Sequence, residues 1–304
     1  MNMERGITDK RICFVSRFEI PLLYLNQEDI IKSVFVLFMY KRKWEICMAY
    51  KNPVPTLTNT STKRSGEVVE NYPLHEDVYF AFIDVLGFKQ AFDENREDPE
   101  KRFATKYESV FKYYSQLMRD AKFARSGISK AGQTSDSLYF YTDRIDFMAE
   151  FIKVYLHFSQ YSMSQNVFFR GGVAKGCLFV NEPHQFYGDS VIKAYLLEEK
   201  ISKFPRVAFD RETFEALSSI PEIKAILIEE KKSGRFYLKP FVKVTKNELS
   251  SITGLETSQI RSIERQEIVH YIDKGKTQFE FDDRNYPKYQ FLAEELAHYN
   301  DGFE

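Results

Sequence analysis

Two aspartates stand where apolar packing has no use for them. Tyr79-Phe80-Ala81-Phe82-Ile83-Asp84-Val85-Leu86-Gly87-Phe88 is an apolar run with one carboxylate near its end and a glycine after it. The run suits a buried β-strand, and an acid at such a strand's exit wants a cation or a helix N-terminus. The second carboxylate lies in Thr134-Ser135-Asp136-Ser137, between the mixed segment Ile128 to Gln133 and the strand-like Leu138-Tyr139-Phe140-Tyr141. A small polar tetrapeptide there predicts a hairpin turn with Asp136 at its tip. Carboxylates on adjacent strands can share two hard cations, Mg²⁺ or Mn²⁺. Taken singly, each has a plainer use, Asp84 as a helix N-cap and Asp136 as a turn residue.

The elements that must position them follow from periodicity. Lys101 to Met118 places Phe103, Tyr107, Val110, Phe111, Tyr114 and Leu117 on one helical stripe. A second helix, capped by Thr142 or Asp143, carries Met148, Phe151, Ile152, Tyr155 and Phe158 on one side and should cover the same sheet face. Asn166 to Lys175 returns to strand character, and Cys177 to Val180 with Gln185 to Tyr187 reads as a hairpin. Gly188 opens a helix, and Arg206 to Phe209 is the next short strand. This order predicts an α+β sandwich of ferredoxin-like type, its helices packed on a mostly antiparallel sheet. Beyond Asp210 the pattern gives helical or extended pieces at Glu212 to Ser218 and Pro221 to Lys231. A strand at Phe236 to Val244 and a closing helix at Tyr289 to Tyr299 follow.

Composition narrows the classes. The 304 residues are 43% apolar, enough for a real core, and 43 Lys+Arg against 44 Asp+Glu leave no global field to recruit nucleic acid or an anionic membrane. Cys13, Cys47 and Cys177 form no CxxC pair, and the five histidines have no HxxxH or HExxH spacing. Val34 to Tyr40 is too short to span a bilayer, so a soluble, cytoplasmic protein is expected. The Pro- and Thr-rich stretch near Asn52 to Pro73 reads as a linker. The expected organisation is an N-terminal extension at 1–51, a linker at 52–74, a catalytic domain at 75–215, and a C-terminal part at 216–304 that completes the fold and supplies oligomer contacts.

Four motifs in order carry a family resemblance: Phe82-Ile83-Asp84-Val85-Leu86-Gly87-Phe88, Ser135-Asp136-Ser137, Arg170-Gly171-Gly172-Val173-Ala174-Lys175-Gly176, and Gly188-Asp189-Ser190-Val191-Ile192-Lys193-Ala194-Tyr195-Leu196-Leu197-Glu198. Over roughly Val78 to Asp210 the chain resembles class III nucleotide cyclase catalytic domains. Phe204-Pro205-Arg206-Val207 looks more like the bacterial Pycsar antiphage cyclases, which make cyclic pyrimidine mononucleotides. The resemblance implies a homodimer that turns UTP, or else CTP, into the 3′,5′-cyclic monophosphate and pyrophosphate, a messenger for a separate effector. It implies a metal set of Asp84, Val85 and Asp136 for two Mn²⁺ or Mg²⁺ ions, and phosphate contacts from Leu86, Gly87 and Phe88, with Lys89 either assisting or merely solvated.

The chain departs from the purine pattern at defined positions. Four residues before Asp136, where the purine enzymes carry a base-reading Lys or Glu, stands Gly132. Gln185 holds the partner position, and its amide could read uracil or cytosine or simply decorate a hairpin. The family's Asn and Arg on the last helix fall on Ile192 and Leu196, leaving Arg170, ahead of Lys175 and Arg206, to supply the transition-state charge. An arginine paired with a structural carboxylate is the alternative for Arg170. A purine cyclase with rearranged contacts, and a catalytically silent nucleotide- or partner-binding module, stay open as competing functions. Gly171-Gly172 lacks the strand–GxxxxGK–helix order of a phosphate loop and is expected to serve close packing.

Overall fold

The computed structural model describes residues 74–88, 103–124, 126–134, 136–182 and 185–298, leaving aside the side chains of 103–106, 181, 182 and 185. All belong to one compact unit, Val69–Glu304. The expected N-terminal extension, the linker up to residue 73, Lys89 and Ser135 lie outside the described residues.

The chain runs β1 (Leu74–Val85), α1 (Phe103–Arg119), β2 (Lys130–Thr134), β3 (Ser137–Thr142), α2 (Ile145–Ser164), β4 (Phe169–Glu182), β5 (Gln185–Tyr187) and α3 (Asp189–Leu196). A π turn, Leu197–Ile201, and β6 (Val207–Phe209) follow. Then come α4 (Arg211–Ser218), α5 (Pro221–Lys224), β7 (Leu227–Glu230), β8 (Arg235–Leu238), α6 (Lys246–Thr253), α7 (Arg265–Gln278) and α8 (Tyr286–His298). One sheet orders the strands β2-β3-β1-β4-β6-β8-β7, with β5 on β4. Every pairing is antiparallel except β4 with β6. The first four strands, joined through α1 and α2, give the expected ferredoxin-like α+β sandwich.

β1 is apolar on both faces because both are covered. Tyr79, Ala81, Ile83 and Val85 enter the main core with Leu138 and Phe140 of β3, Phe151 and Phe158 of α2, and Val110 and Leu117 of α1. Val78 and Phe80 alternate onto the other face, with Tyr139, Tyr141, Ala174, Leu178 and Ala194 of α3. Among the described residues α2 is buried nearly all round, since α6 and α7 pack on its outer side.

Several boundaries differ from the pattern. The N-cap of α2 is Arg144, not Thr142 or Asp143. Thr142 still belongs to β3, opposite Tyr79, and its hydroxyl accepts the Arg144 amide at 3.1 Å and pairs with Ser129 Oγ at 2.7 Å. β8 stops at Leu238, before Pro240, and the stretch expected as one piece from Pro221 to Lys231 is a four-residue helix followed by β7. Weak apolar periodicity hid α6, which the structure closes with a Thr245 cap on the Glu248 amide and Gly254 at φ 74°. α7 was hidden likewise.

Candidate active site

Because side chains alternate along a strand, Asp84 shares the face of Phe80 and Phe82. It is opposite Ser137 on β3 and Arg170 on β4. The hairpin is as tight as the sequence predicts: Thr134 pairs with Ser137, and Asp136 lies in the two-residue turn between them. Register therefore brings Asp84, Asp136, Ser137 and Arg170 together from three adjacent strands.

Electrostatics agrees with that placement. Burial holds the Asp84 carboxyl above its usual range, and the Asp136 charge pushes it further; the Ser137 hydroxyl, donating at 2.9 Å, and Arg170 offset part of this. Two crowded carboxylates, half-buried and mutually repelling, form a donor set suited to a hard cation. Among the described residues no group of three or more His, Cys, Asp or Glu side chains could hold a metal ion.

Arg170 Nε lies 2.5 Å from Glu198 Oε1, and Glu198 is 3% exposed. The π turn aims that glutamate at the sheet. Lys175 falls on the opposite face, opposite Tyr79, where Glu212 (2.9 Å) and Asp77 (3.1 Å) hold it. Arg206 is caged by rings, 3.4 Å from the Tyr237 centroid and 5.2 Å from Phe291. Of the three cations considered for the transition-state charge, only Arg170 is opposite Asp84 in the register.

The Leu86 amide donates to the Phe168 carbonyl at 2.8 Å, which narrows the expected phosphate contacts to Gly87, at φ 75°, and Phe88. Val85 pairs with Phe169. Gln185 opens β5 opposite Glu182, and its side chain is outside the described residues. Gly132 is a glycine for a steric reason: a Cβ there would run into the buried phenol of Tyr139. Gly172 and Gly176 let α3 approach, since Cβ atoms would meet the Ala194 carbonyl and the Asp189 carboxylate. Asp189 Oδ1 accepts the Cys177 amide at 2.6 Å, fixing the start of that helix.

Tyr195 is a neighbour that spacing did not reveal. Its ring meets Phe82 edge-on at 5.8 Å, and burial, with Glu199, Glu198 and Asp84 nearby, pushes its phenol up to about 12. A groove of about 610 Å³ beside Lys112, Ser115, Arg119 and Gln133 holds neither aspartate.

The fold and site define a class: a ferredoxin-like α+β domain with one carboxylate at the exit of its central strand and a second in the turn of the neighbouring hairpin. No family model and no curated protein sequence matches the chain. Among solved structures it is similar to the guanylyl cyclase domain of the RhoGC fusion protein from the aquatic fungus Blastocladiella emersonii, at 15% identity and TM-score 0.39, over 55% of this chain and 95% of that one. It is also similar to a bacterial light-regulated adenylyl cyclase, at 14% and 0.39, over 79% of this chain and 73% of that one. A class III adenylyl cyclase-like ATP-binding protein from Pseudomonas aeruginosa matches at 10% and 0.29, over 67% of this chain and 44% of that one. Superpositions this loose carry no residue correspondence. No helix among the described residues is long and apolar enough to cross a membrane.

Proposed function

We propose that this chain is a metal-dependent nucleotide cyclase acting on a pyrimidine triphosphate, UTP ahead of CTP. One observation carries the reading: strand register places Asp136 next to the residue opposite Asp84, and the Asp136 charge raises the cost of ionising Asp84. In the reaction the ribose 3′-hydroxyl gives up its proton to water and its oxygen bonds to the α-phosphorus, the bond from that phosphorus to the bridging oxygen breaks, and pyrophosphate leaves with the electron pair. Bound at Asp84 and Asp136 with Val85, two divalent ions would acidify the 3′-hydroxyl and neutralise the triphosphate. Arg170 places positive charge beside the reacting end, and Gly87 and Phe88 offer amides to phosphate oxygens. The Gly132 position has no room for a base-reading side chain. That argues against a purine read at this position and leaves Gln185 as the base reader. By the same resemblance the enzyme is a homodimer whose product signals to a separate effector in antiphage defence.

The ion pair of Arg170 with Glu198 favours a second reading, a silent nucleotide-binding module whose arginine is structural. Incubation with each of the four ribonucleoside triphosphates and Mn²⁺, products resolved by mass, separates the two. The cyclase reading expects a cyclic pyrimidine monophosphate that disappears in Asp84→Ala and Asp136→Ala. Triphosphate binding with no cyclic product from any of the four would install the module instead.

A further inference from the structure

Outside the motif-bearing region, the C-terminal hairpin of α7 and α8 straddles the end of the sheet where β1 stops and β4 starts. α7 packs on α2, while Leu292 and Leu296 of α8 join Phe168, Met163 and Leu86 in one cluster. Tyr289 meets Phe168 edge-on at 5.6 Å, and the Phe168 carbonyl is the group that takes the Leu86 amide. The first turn of α8 thus sits beside the Asp84 exit.

A row on α8 turns toward the face of Asp84. Lys288, Phe291 and Glu295 recur at i, i+3 and i+7. Phe291 stacks on Phe204 at 4.9 Å and borders the Arg206 guanidinium, which lies on Tyr237. Tyr237 is opposite Ala208, and Ala208 pairs with Gly172, two residues on from Arg170 along the same face. Lys288 is one turn nearer the start of α8. Its Nζ donates to Asn285 Oδ1 at 2.9 Å. Burial, then Arg284 and Arg170, pull its pKa down, with Asp282 the smaller opposing influence. Asp282 already accepts the Arg284 amide at 2.8 Å and the Asn285 amide at 3.0 Å. A half-buried ammonium that feels the charge of two guanidiniums is a cost that an anion would relieve.

We propose that Lys288, with exposed Arg284 beside it, receives the β- and γ-phosphates of the triphosphate and holds the departing pyrophosphate, since the charge of Arg170 is partly met by Glu198. This rests on the cyclase reading for its reaction, not for its binding. Inorganic tripolyphosphate with Mg²⁺, titrated calorimetrically into the full chain, tests it. Wild type should bind. Lys288→Met should bind about tenfold more weakly, Lys288→Arg should recover most of that, and Lys232→Met, at an exposed site, should match wild type. Should Lys288→Met not fold, Arg284→Met carries the test with an expected loss of about threefold. Wild type failing to bind, or binding unaltered in Lys288→Met, overturns the proposal. If tripolyphosphate binding weakens as expected while wild type makes no cyclic nucleotide from any triphosphate, the cyclase reading fails and this one stands.

Discussion

The two faces of β1 are built to opposite rules. Toward α1 and α2 its side chains are Tyr79, Ala81, Ile83 and Val85, all buried in an aromatic and aliphatic core. Toward α3 and α8 the same strand ends in Asp84, beside an arginine, a buried glutamate and glycines that leave no room for side chains. One face earns stability and the other gives some up for charge. Asp84→Asn should break this division most sharply. Cyclic nucleotide synthesis should fall by about 10²–10³-fold or more, taking the loss of one electrostatic stabiliser as the guide. The thermal midpoint of the metal-free protein should rise. Because the folded carboxyl binds its proton more tightly than the unfolded one, Asp84 contributes stability at pH below the unfolded value and loses it as pH rises through the folded value. At neutral pH it is therefore a cost that the amide removes. A lower midpoint would show that Asp84 is a structural residue.

On the helix face the expectation reverses. Phe151 is 1% exposed and stacks on Phe140 at 4.6 Å, so Phe151→Ala should cost about 3–5 kcal/mol in urea unfolding while leaving KM unchanged in the folded fraction. The pH response of this face also opposes that of Asp84. His157 of α2 is buried against the Tyr113 hydroxyl at 2.8 Å, and burial, then Lys246, pull it down to about 4. Its contribution is fully present above the unfolded value of 6.5 and is lost as pH falls toward 4, about 3 kcal/mol in all. Unfolding measured between pH 7 and pH 4 should show that decline in wild type and a flatter profile in His157→Gln.

What could be read in advance divides along the same line. Strong periodicities announced α1, α2 and the strands they cover, and a small polar tetrapeptide between two strand candidates announced the hairpin that carries Asp136. Register did the rest: neither Arg170 nor Ser137 is near Asp84 in sequence, yet pairing puts them opposite it. The Arg170 ion pair depends on a π turn, which has no composition signal, and Lys288 depends on a helix whose motif-free sequence gives no hint of where it docks. Gly132 is instructive in the other direction. Its lack of a side chain was plain from sequence, but the reason is the Tyr139 ring one strand away.

Two adjacent glycines allow the smallest and most selective test, because they point to opposite faces. A Cβ on Gly171 would run into Ile83 Cδ1 and approach the Phe82 carbonyl at 2.7 Å, on the structural side. A Cβ on Gly172 would strike the Ala194 carbonyl and stand 2.6 Å from Leu197 Cβ, lifting α3 and the π turn that holds Glu198 against Arg170. Overpacking should cost each alanine variant about 1–3 kcal/mol. Gly171→Ala should therefore lower only the melting temperature, and its folded fraction should turn over with the wild-type KM. In Gly172→Ala the same loss of stability should come with a changed KM or kcat, since Arg170 loses the partner that fixes its guanidinium. Identical kinetics in the two variants would mean that the Arg170–Glu198 pair serves packing alone, and the functional face would then reduce to the two aspartates.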